Sequence, residues 1–165
     1  MDLDTALTDK SLCGGATELL RADHEEISRL FDSYQEAMDT ASPVRNSLAQ
    51  AICMQIELHS RVEAEVFYPN VRNEAPDLVA ESIEDHEEIA QIIGNLRAES
   101  LAIEACDGLM LDLMDLVESH MAAEELELFP LLEDRIPPTL RSLGAEIFRY
   151  KEDLMGSTEE ISGRS

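Results

Sequence analysis

Glycine and proline are scarce in this sequence, with 7 and 6 among 165 residues. Alanine, leucine, glutamate and methionine are common instead, which favours helix. No run approaches the roughly 20 consecutive apolar residues that a membrane-spanning helix needs. The N-terminal residues, MDLDTALTDKSL, lack the basic and apolar regions of a signal peptide. We therefore expect a cytoplasmic protein that does not cross a membrane.

Cysteines and basic residues are also few. Cys13, Cys53 and Cys106 form no CxxC pair, which suits a reducing compartment, with a redox role as the alternative to buried or bystander thiols. Lysine and arginine total 12 against 36 aspartates and glutamates, a net charge of −24. Such a chain is not expected to bind nucleic-acid phosphates or anionic membranes. The charge favours solubility, with attraction of metal cations as the alternative.

The apolar residues that are present recur at steps of three and four, the period of an amphipathic helix. Four such stretches with short breaks predict an all-α fold, an up-down-up-down antiparallel four-helix bundle with a short extra C-terminal helical segment. The third helix is expected to end near residues 106–108, and Pro69 and Pro130 should kink or end their helices. We expect a flexible leader over 1–15, the bundle over 16–135, the C-terminal helical segment over 136–155 and a disordered tail over 156–165.

Two phrases occur twice in the chain. HSRVEAEVFYP begins at His59 and HMAAEELELFP at His120, while DHEEI spans 23–27 and again 85–89. All 4 histidines of the protein lie in these phrases. The two copies are 62 residues apart for DHEEI (86 − 24) and 61 apart for the longer phrase (120 − 59). The bundle is therefore expected to consist of two similar helical hairpins.

The spacing also places the histidines at one level of the bundle. His24 and His59 are each about 17 residues from the first predicted turn, so antiparallel helices of equal rise bring them level. The same reasoning applies to the second hairpin and to the turn between hairpins. A glutamate four residues after a histidine shares its helix face. The predicted core layer consists of His24, His59, Glu63, His86, His120 and Glu124.

Such a layer is typical of a metal site. One core histidine is usually an ordinary packed residue, but four at one level with two buried carboxylates and no basic partner would be costly without a cation. Imidazole and carboxylate ligands suit iron, manganese or zinc. Six ligands are too many for one structural zinc and suit two metals about 3.5–4 Å apart, with both glutamates bridging and two histidines on each ion. An oxo, hydroxo or water bridge would leave one position per ion for a small ligand.

The ordered motif His24, His59–Glu63, His86, His120–Glu124 closely resembles the hemerythrin-like, or HHE cation-binding, family over about residues 17–133. The resemblance implies a four-helix bundle that holds two iron ions in a non-haem, oxo- or hydroxo-bridged centre and binds O2, NO or peroxide. Oxygen-carrying hemerythrins have a fifth histidine, four residues after the one that matches His86, where this chain has Ala90. They also have aspartate in place of Glu124. The pattern here is closer to hemerythrin-like proteins linked to iron-centre repair, nitrosative stress and iron sensing.

Three functions follow from this resemblance. The first is a binding protein that stores or senses O2 or NO. The second is a redox enzyme that consumes peroxide or NO, or oxidises iron. The third is an iron donor, for iron-centre repair, or a sensor that passes iron or a signal to a partner protein, and the acidic surface would suit a basic partner. The acidic residues beside the motif are expected to form a solvated face, with an extra ligand or guidance of iron as the alternative; they are Glu25, Glu26, Glu65, Glu87, Glu88, Glu125 and Glu127. Tyr34 and Tyr68 are expected to pack in the core or at its edge, with hydrogen-bond donation to the centre as the alternative.

Overall fold

A computed structural model describes residues 15–39, 42–98 and 103–162. Every secondary-structure element in these ranges is helical, which confirms the all-α prediction. The helices are α1 (Ala16–Glu36), α2 (Ser42–Val62), α3 (Tyr68–Val71), α4 (Pro76–Leu96), α5 (Ile103–Ala123), α6 (Phe129–Arg135) and α7 (Pro137–Ser162). A first π segment, Glu63–Phe67, joins α2 to α3, and a second, Glu124–Leu128, joins α5 to α6. Fourteen of the fifteen residues of the predicted leader, 1–14, lie outside the described ranges.

The helices form the predicted antiparallel bundle. Helix α1 packs along α2 and α4 packs along α5, so each predicted hairpin exists as a pair of adjacent helices. Contacts of α1 with α5 and of α2 with α4 close the ring of four. Helix α7 then lies against α1, α2 and the first π segment, on one side of the bundle.

Two boundaries differ from the sequence-based expectation. Helix α4 ends at Leu96, and α5 begins at Ile103 and runs through Gly108, so the predicted end of the third helix near 106–108 is wrong. The Tyr34 hydroxyl donates to Asp107 at 2.6 Å and Arg45 donates to the same carboxylate at 2.5 Å. These contacts fix the start of α5 against the first hairpin and outweigh the weak helix propensity of one glycine.

The C-terminal helix is longer than the sequence suggested. Helix α7 has 26 residues and continues through Gly156 to Ser162, into the range where a disordered tail was expected. Gly156 has no positive φ, so it does not form the left-handed cap that commonly ends a helix. The Ser157 hydroxyl donates to the carbonyl of Asp153 at 2.8 Å, a bond that is compatible with a continuing helix.

Two apolar clusters fill the bundle. The first contains Phe67, Phe129 and, from α7, Leu143 and Ile147. The second lies toward the turn between α1 and α2 and contains Ile27, Phe31, Ile56 and Leu113. On α1, His24 falls between Leu20 of the first cluster and Ile27 of the second. The predicted polar layer therefore lies between two apolar regions.

Candidate metal centre

The structure brings all six predicted site residues together in the middle of the bundle. Five of them expose 3% of their surface or less, and the side chain of His86 exposes 11%. Donor atoms of His24, His59, Glu63 and Glu124 lie within 4.8 Å of one another, and so do those of Glu63, His86 and His120. The level argument from helix rise therefore gives the correct arrangement.

The histidines pair within hairpins. Nε2 of His24 lies 3.2 Å from Nε2 of His59, and Nε2 of His86 lies 3.1 Å from Nε2 of His120. We call the first pair subsite 1 and the second pair subsite 2. Glu63 connects them, because its Oε1 is 3.2 Å from Nε2 of His59 and its Oε2 is 3.0 Å from Nε2 of His86.

Glu124 also contacts both subsites. Its Oε2 lies 3.3 Å from Nε2 of His24 and 3.6 Å from Nε2 of His120. Oε1 of Glu63 and Oε2 of Glu124 are nevertheless buried without an aligned hydrogen-bond donor. Buried carboxylate oxygens that face imidazole nitrogens without a proper donor are costly. A cation between them would satisfy both kinds of atom, so the donor set fits a metal.

Carboxylates outside the layer contact the Nδ1 atoms of three of the four histidines. Asp23 lies 3.3 Å from Nδ1 of His59, and Asp85 lies 3.3 Å from Nδ1 of His120. Glu125 lies 2.7 Å from Nδ1 of His24. A carboxylate that accepts the Nδ1 proton leaves the Nε2 lone pair directed at the centre, which is the usual support of a metal-binding histidine. The aspartate of each DHEEI phrase thus orients the histidine of the other helix in its hairpin.

In the metal-free layer, the close contacts between imidazoles and carboxylates shift the pKa values of His59 and Glu63. Burial lowers the pKa of His59, but the charge of Glu63 and the bond to Asp23 raise it to about 10. Burial raises the pKa of Glu63, yet the imidazoles, His59 above all, hold it well below its ordinary value. Without a cation, the layer therefore compensates its carboxylates with protons on imidazole nitrogens.

The π segments begin at the two site glutamates. The Tyr68 amide donates to the carbonyl of Glu63, and the Phe129 amide donates to that of Glu124, each five residues back. This wider turn lets the chain continue into α3 and α6 through Pro69 and Pro130, so neither proline ends its helix. Single π turns inside α-helices are frequent at functional sites.

The wider turn also brings Tyr68 into the polar layer. Its hydroxyl donates to Oε1 of Glu124 at 2.8 Å, and its oxygen lies 3.1 Å from Oε2 of Glu63 and 3.3 Å from Nε2 of His86. Burial, followed by the charge of Glu63, raises the pKa of Tyr68 well above its ordinary value. Tyr68 is buried in the first apolar cluster, as the sequence predicts, and its hydroxyl also donates to the centre, which is the alternative interpretation. Tyr34 instead bonds Asp107, in the second apolar cluster's part of the bundle.

The position of the absent fifth histidine can also be assessed. Ala90 is exposed, so a histidine there would not face the layer. Ser82 lies four residues before His86, one helical turn toward the N-terminus, and exposes only 6% of its surface. Neither position supplies an imidazole, so the layer keeps four.

Two cavities differ in their relation to the layer. A groove of about 540 Å³ reaches His24 between α1 and α5 and is lined by Glu25, Glu118 and Glu125. A larger one of about 790 Å³, lined by Cys53, Cys106 and Arg97, lies among residues of the second apolar cluster and contains none of the six site residues. The smaller groove is therefore the one connected with the site.

None of the helices in the described ranges is both long and apolar enough to cross a membrane. A search of curated proteins gives no match. A solved structure of a hemerythrin HHE cation-binding domain-containing protein from Mycobacterium kansasii superposes with a TM-score of 0.74 over 87% of this chain and 89% of that one. At 23% identity this likeness speaks for the fold alone. The sequence pattern of the hemerythrin HHE cation-binding domain matches residues 15–132, and the chain belongs to that family.

Proposed function

We propose that the six-residue layer binds two metal ions, in the first place iron, and that the centre binds or reacts with a small ligand such as O2, NO or peroxide. Manganese and zinc are the alternatives that the ligand types allow. The observation that carries the proposal is the pair of unsatisfied oxygens, Oε1 of Glu63 and Oε2 of Glu124, buried among four imidazole nitrogens. Family membership supports cation binding at this place.

The residues of the layer would divide the work between two ions. His24 and His59 would hold one ion, and His86 and His120 the other. Glu63 and Glu124 would connect the two, since each contacts histidines of both subsites. Bound iron would supply reversible electron transfer and a coordination position for the small ligand. The apolar clusters on both sides would keep bulk water from the centre.

Access and charge support the same proposal. The groove that reaches His24 is bordered by Glu25, Glu118 and Glu125, a composition that attracts cations. The opening is suited to the entry of a metal ion or a diatomic molecule, because the groove reaches His24, one of the proposed metal-binding residues. A cytoplasmic location stays part of the proposal, based on the small, odd number of cysteines in the sequence.

Tyr68 favours a redox enzyme as the second candidate function. Reduction of one peroxide to two waters takes two electrons, which bound iron would supply, and two protons. The buried hydroxyl of Tyr68, which donates to Oε1 of Glu124 at 2.8 Å, would give one proton and be reprotonated from solvent. We expect Tyr68→Phe to keep its metal content and to slow peroxide consumption, because general acids contribute about 10²–10⁴-fold. Tyr150→Phe, a change of the same kind on α7, is the control. An unchanged rate in the Tyr68 variant would remove this support for the enzyme.

The experiment that separates binding from reaction is rapid mixing of the reduced, iron-loaded protein with O2, followed by absorption. Because the layer has four imidazoles and Tyr68 can supply a proton, we expect fast oxidation that evacuation does not reverse. An O2 adduct that lasts for minutes and releases O2 under vacuum would instead favour the carrier or sensor. Elemental analysis of the same sample shows whether the protein holds metal at all.

A further inference from the structure

The two subsites have identical inner residues but different surroundings. The offset between repeats pairs His24 with His86 (86 − 24 = 62) and Glu63 with Glu124 (124 − 63 = 61). The same offset of 61 pairs Ala64 with Glu125 and Tyr68 with Phe129. Wherever these pairs differ, one half of the centre has a contact that the other half lacks.

The first difference concerns the carboxylate behind the DHEEI histidine. In subsite 1, Glu125 lies 2.7 Å from Nδ1 of His24. The corresponding residue in the other half is Ala64, which has no polar group to offer. Within the described residues, the polar contacts of His86 are all made by Nε2. The ring of His24 is therefore held at both nitrogens, whereas that of His86 is held at one.

The second difference concerns the two aspartates of the repeated phrase. The side chain of Asp23 is 10% exposed and also forms an ion pair with Lys151 of α7. The side chain of Asp85 is 37% exposed, and its ion pair among the described residues is with His120 alone. Because α7 covers one side of the bundle, it buries and anchors the support of His59 but not that of His120.

The third difference concerns the aromatic residue beside each DHEEI histidine. The ring of Phe129 stacks on His24 with an interplanar angle of 17° and centroids 5.8 Å apart. Tyr68 instead places its hydroxyl 3.3 Å from Nε2 of His86. Phe129 has no polar atom that could make such a contact with His24.

We propose that the two subsites bind cations unequally: subsite 1 fills first and holds its ion more tightly, and subsite 2 is the one that exchanges. Glu125 is the positioning residue that contributes most to the difference, because it contacts Nδ1 of a proposed ligand histidine directly and its counterpart, Ala64, has no polar group. This inference rests on the two-metal centre proposed above. Loss of an outer hydrogen-bond partner of a metal-binding histidine usually costs about 10–100-fold in affinity.

Titration of the metal-free full-length protein with Co(II), followed by calorimetry and visible absorption, tests the inference. We expect two binding events whose affinities differ by about tenfold or more. Glu125→Ala should weaken the tighter event by about tenfold and leave the weaker one nearly unchanged. Glu127→Ala removes the same charge from an exposed position of the same π segment, and neither event should change.

Ala64→Glu makes the reciprocal test and covers the case in which Glu125→Ala does not fold. Ala64 is exposed, so a longer side chain has room to reach Nδ1 of His86. The weaker event should tighten several-fold, with the circular-dichroism melting curve of the metal-free variant unchanged. Two equal events in the unaltered protein, or a Glu125→Ala effect on the weaker event, would overturn the inference. So would an Ala64→Glu variant that folds and binds unchanged, whereas absence of any Co(II) binding would refute the two-metal centre itself.

Discussion

The polar layer and the two apolar clusters are buried to the same degree, but only the clusters have all the contacts that their side chains need from within the chain. Phe67 and Leu113 expose none of their surface and are stabilised by contact with their neighbours alone. Glu63 is equally buried, but its Oε1 lacks a donor. The clusters are therefore complete in the protein as it stands, while the layer is completed by something that binds there.

This comparison separates two sources of stability. Burial of apolar surface stabilises the bundle whether or not a metal is present. A ligand that binds the folded state alone adds stability that grows with the logarithm of its concentration relative to its dissociation constant. Changes in the clusters and changes in the layer should therefore respond differently to removal of metal.

Removal of metal should have the largest effect. An ion present at about 1,000 times its dissociation constant adds about 4 kcal/mol to the free energy of unfolding, so chelation should lower that energy by about twice this amount. Urea unfolding with and without a chelator measures it. The double variant Glu63→Gln/Glu124→Gln should show no response to the chelator, because both connecting carboxylates are gone. A chelator that leaves the urea midpoint of the unaltered protein in place would contradict the comparison.

A cavity in the first apolar cluster should come next. Phe67→Ala is expected to lower the free energy of unfolding by about 3–5 kcal/mol, the usual cost of truncating a buried phenylalanine. The loss should be the same with and without metal, and metal stoichiometry should not change. Leu126→Ala, at a residue that is 77% exposed, is the control and should stay within about 0.5 kcal/mol. If Phe67→Ala lowers the free energy of unfolding only in the metal-loaded protein, the cluster and the layer do not contribute to stability independently, and the comparison fails.

A polar contact outside the layer sharpens the comparison further. Asp107 accepts from both Tyr34 and Arg45, so this network has its partners within the chain. Asp107→Asn should cost about 1.5–3 kcal/mol, the range for hydrogen bonds to charged groups, and the loss should not depend on metal. Thermal unfolding of metal-free and metal-loaded samples checks this. If the loss of unfolding free energy differs between the metal-free and metal-loaded samples, the stability of this network depends on metal binding in the layer.

The dependence of metal affinity on pH should be the smallest effect, taken as the change in binding free energy per pH unit. The pKa of His59 is raised to about 10 in the metal-free layer, so at neutral pH a cation has to displace a proton from this imidazole. Apparent affinity should therefore rise with pH up to about 10, by about tenfold per pH unit for each proton released. Calorimetry in buffers of different ionisation enthalpy counts the protons. An affinity that does not change between pH 6 and 8, roughly the neutral range in which His59 is protonated, would contradict this assignment.

The sequence predicted the parts of this molecule that depend on regular helix geometry. Rise per residue and turn positions were enough to bring His24 and His86 to one level, because their helices are regular on either side of them. Tyr68 was harder to place, because the π turn before it changes the face on which it lies. Glu125 belonged to a group of similar acids, and only the position of the second π segment relative to α1 shows which of them meets His24. Gly108 suggested a turn, but tertiary contacts of Asp107 place it inside a helix.

The most direct test of the central claim is anomalous diffraction from crystals of the iron-loaded protein, measured on both sides of the iron absorption edge. We predict two peaks in the layer between Glu63 and Glu124, one beside His24 and His59 and the other beside His86 and His120. A layer without a peak, a single peak, or iron found only on the acidic surface would contradict the two-metal centre.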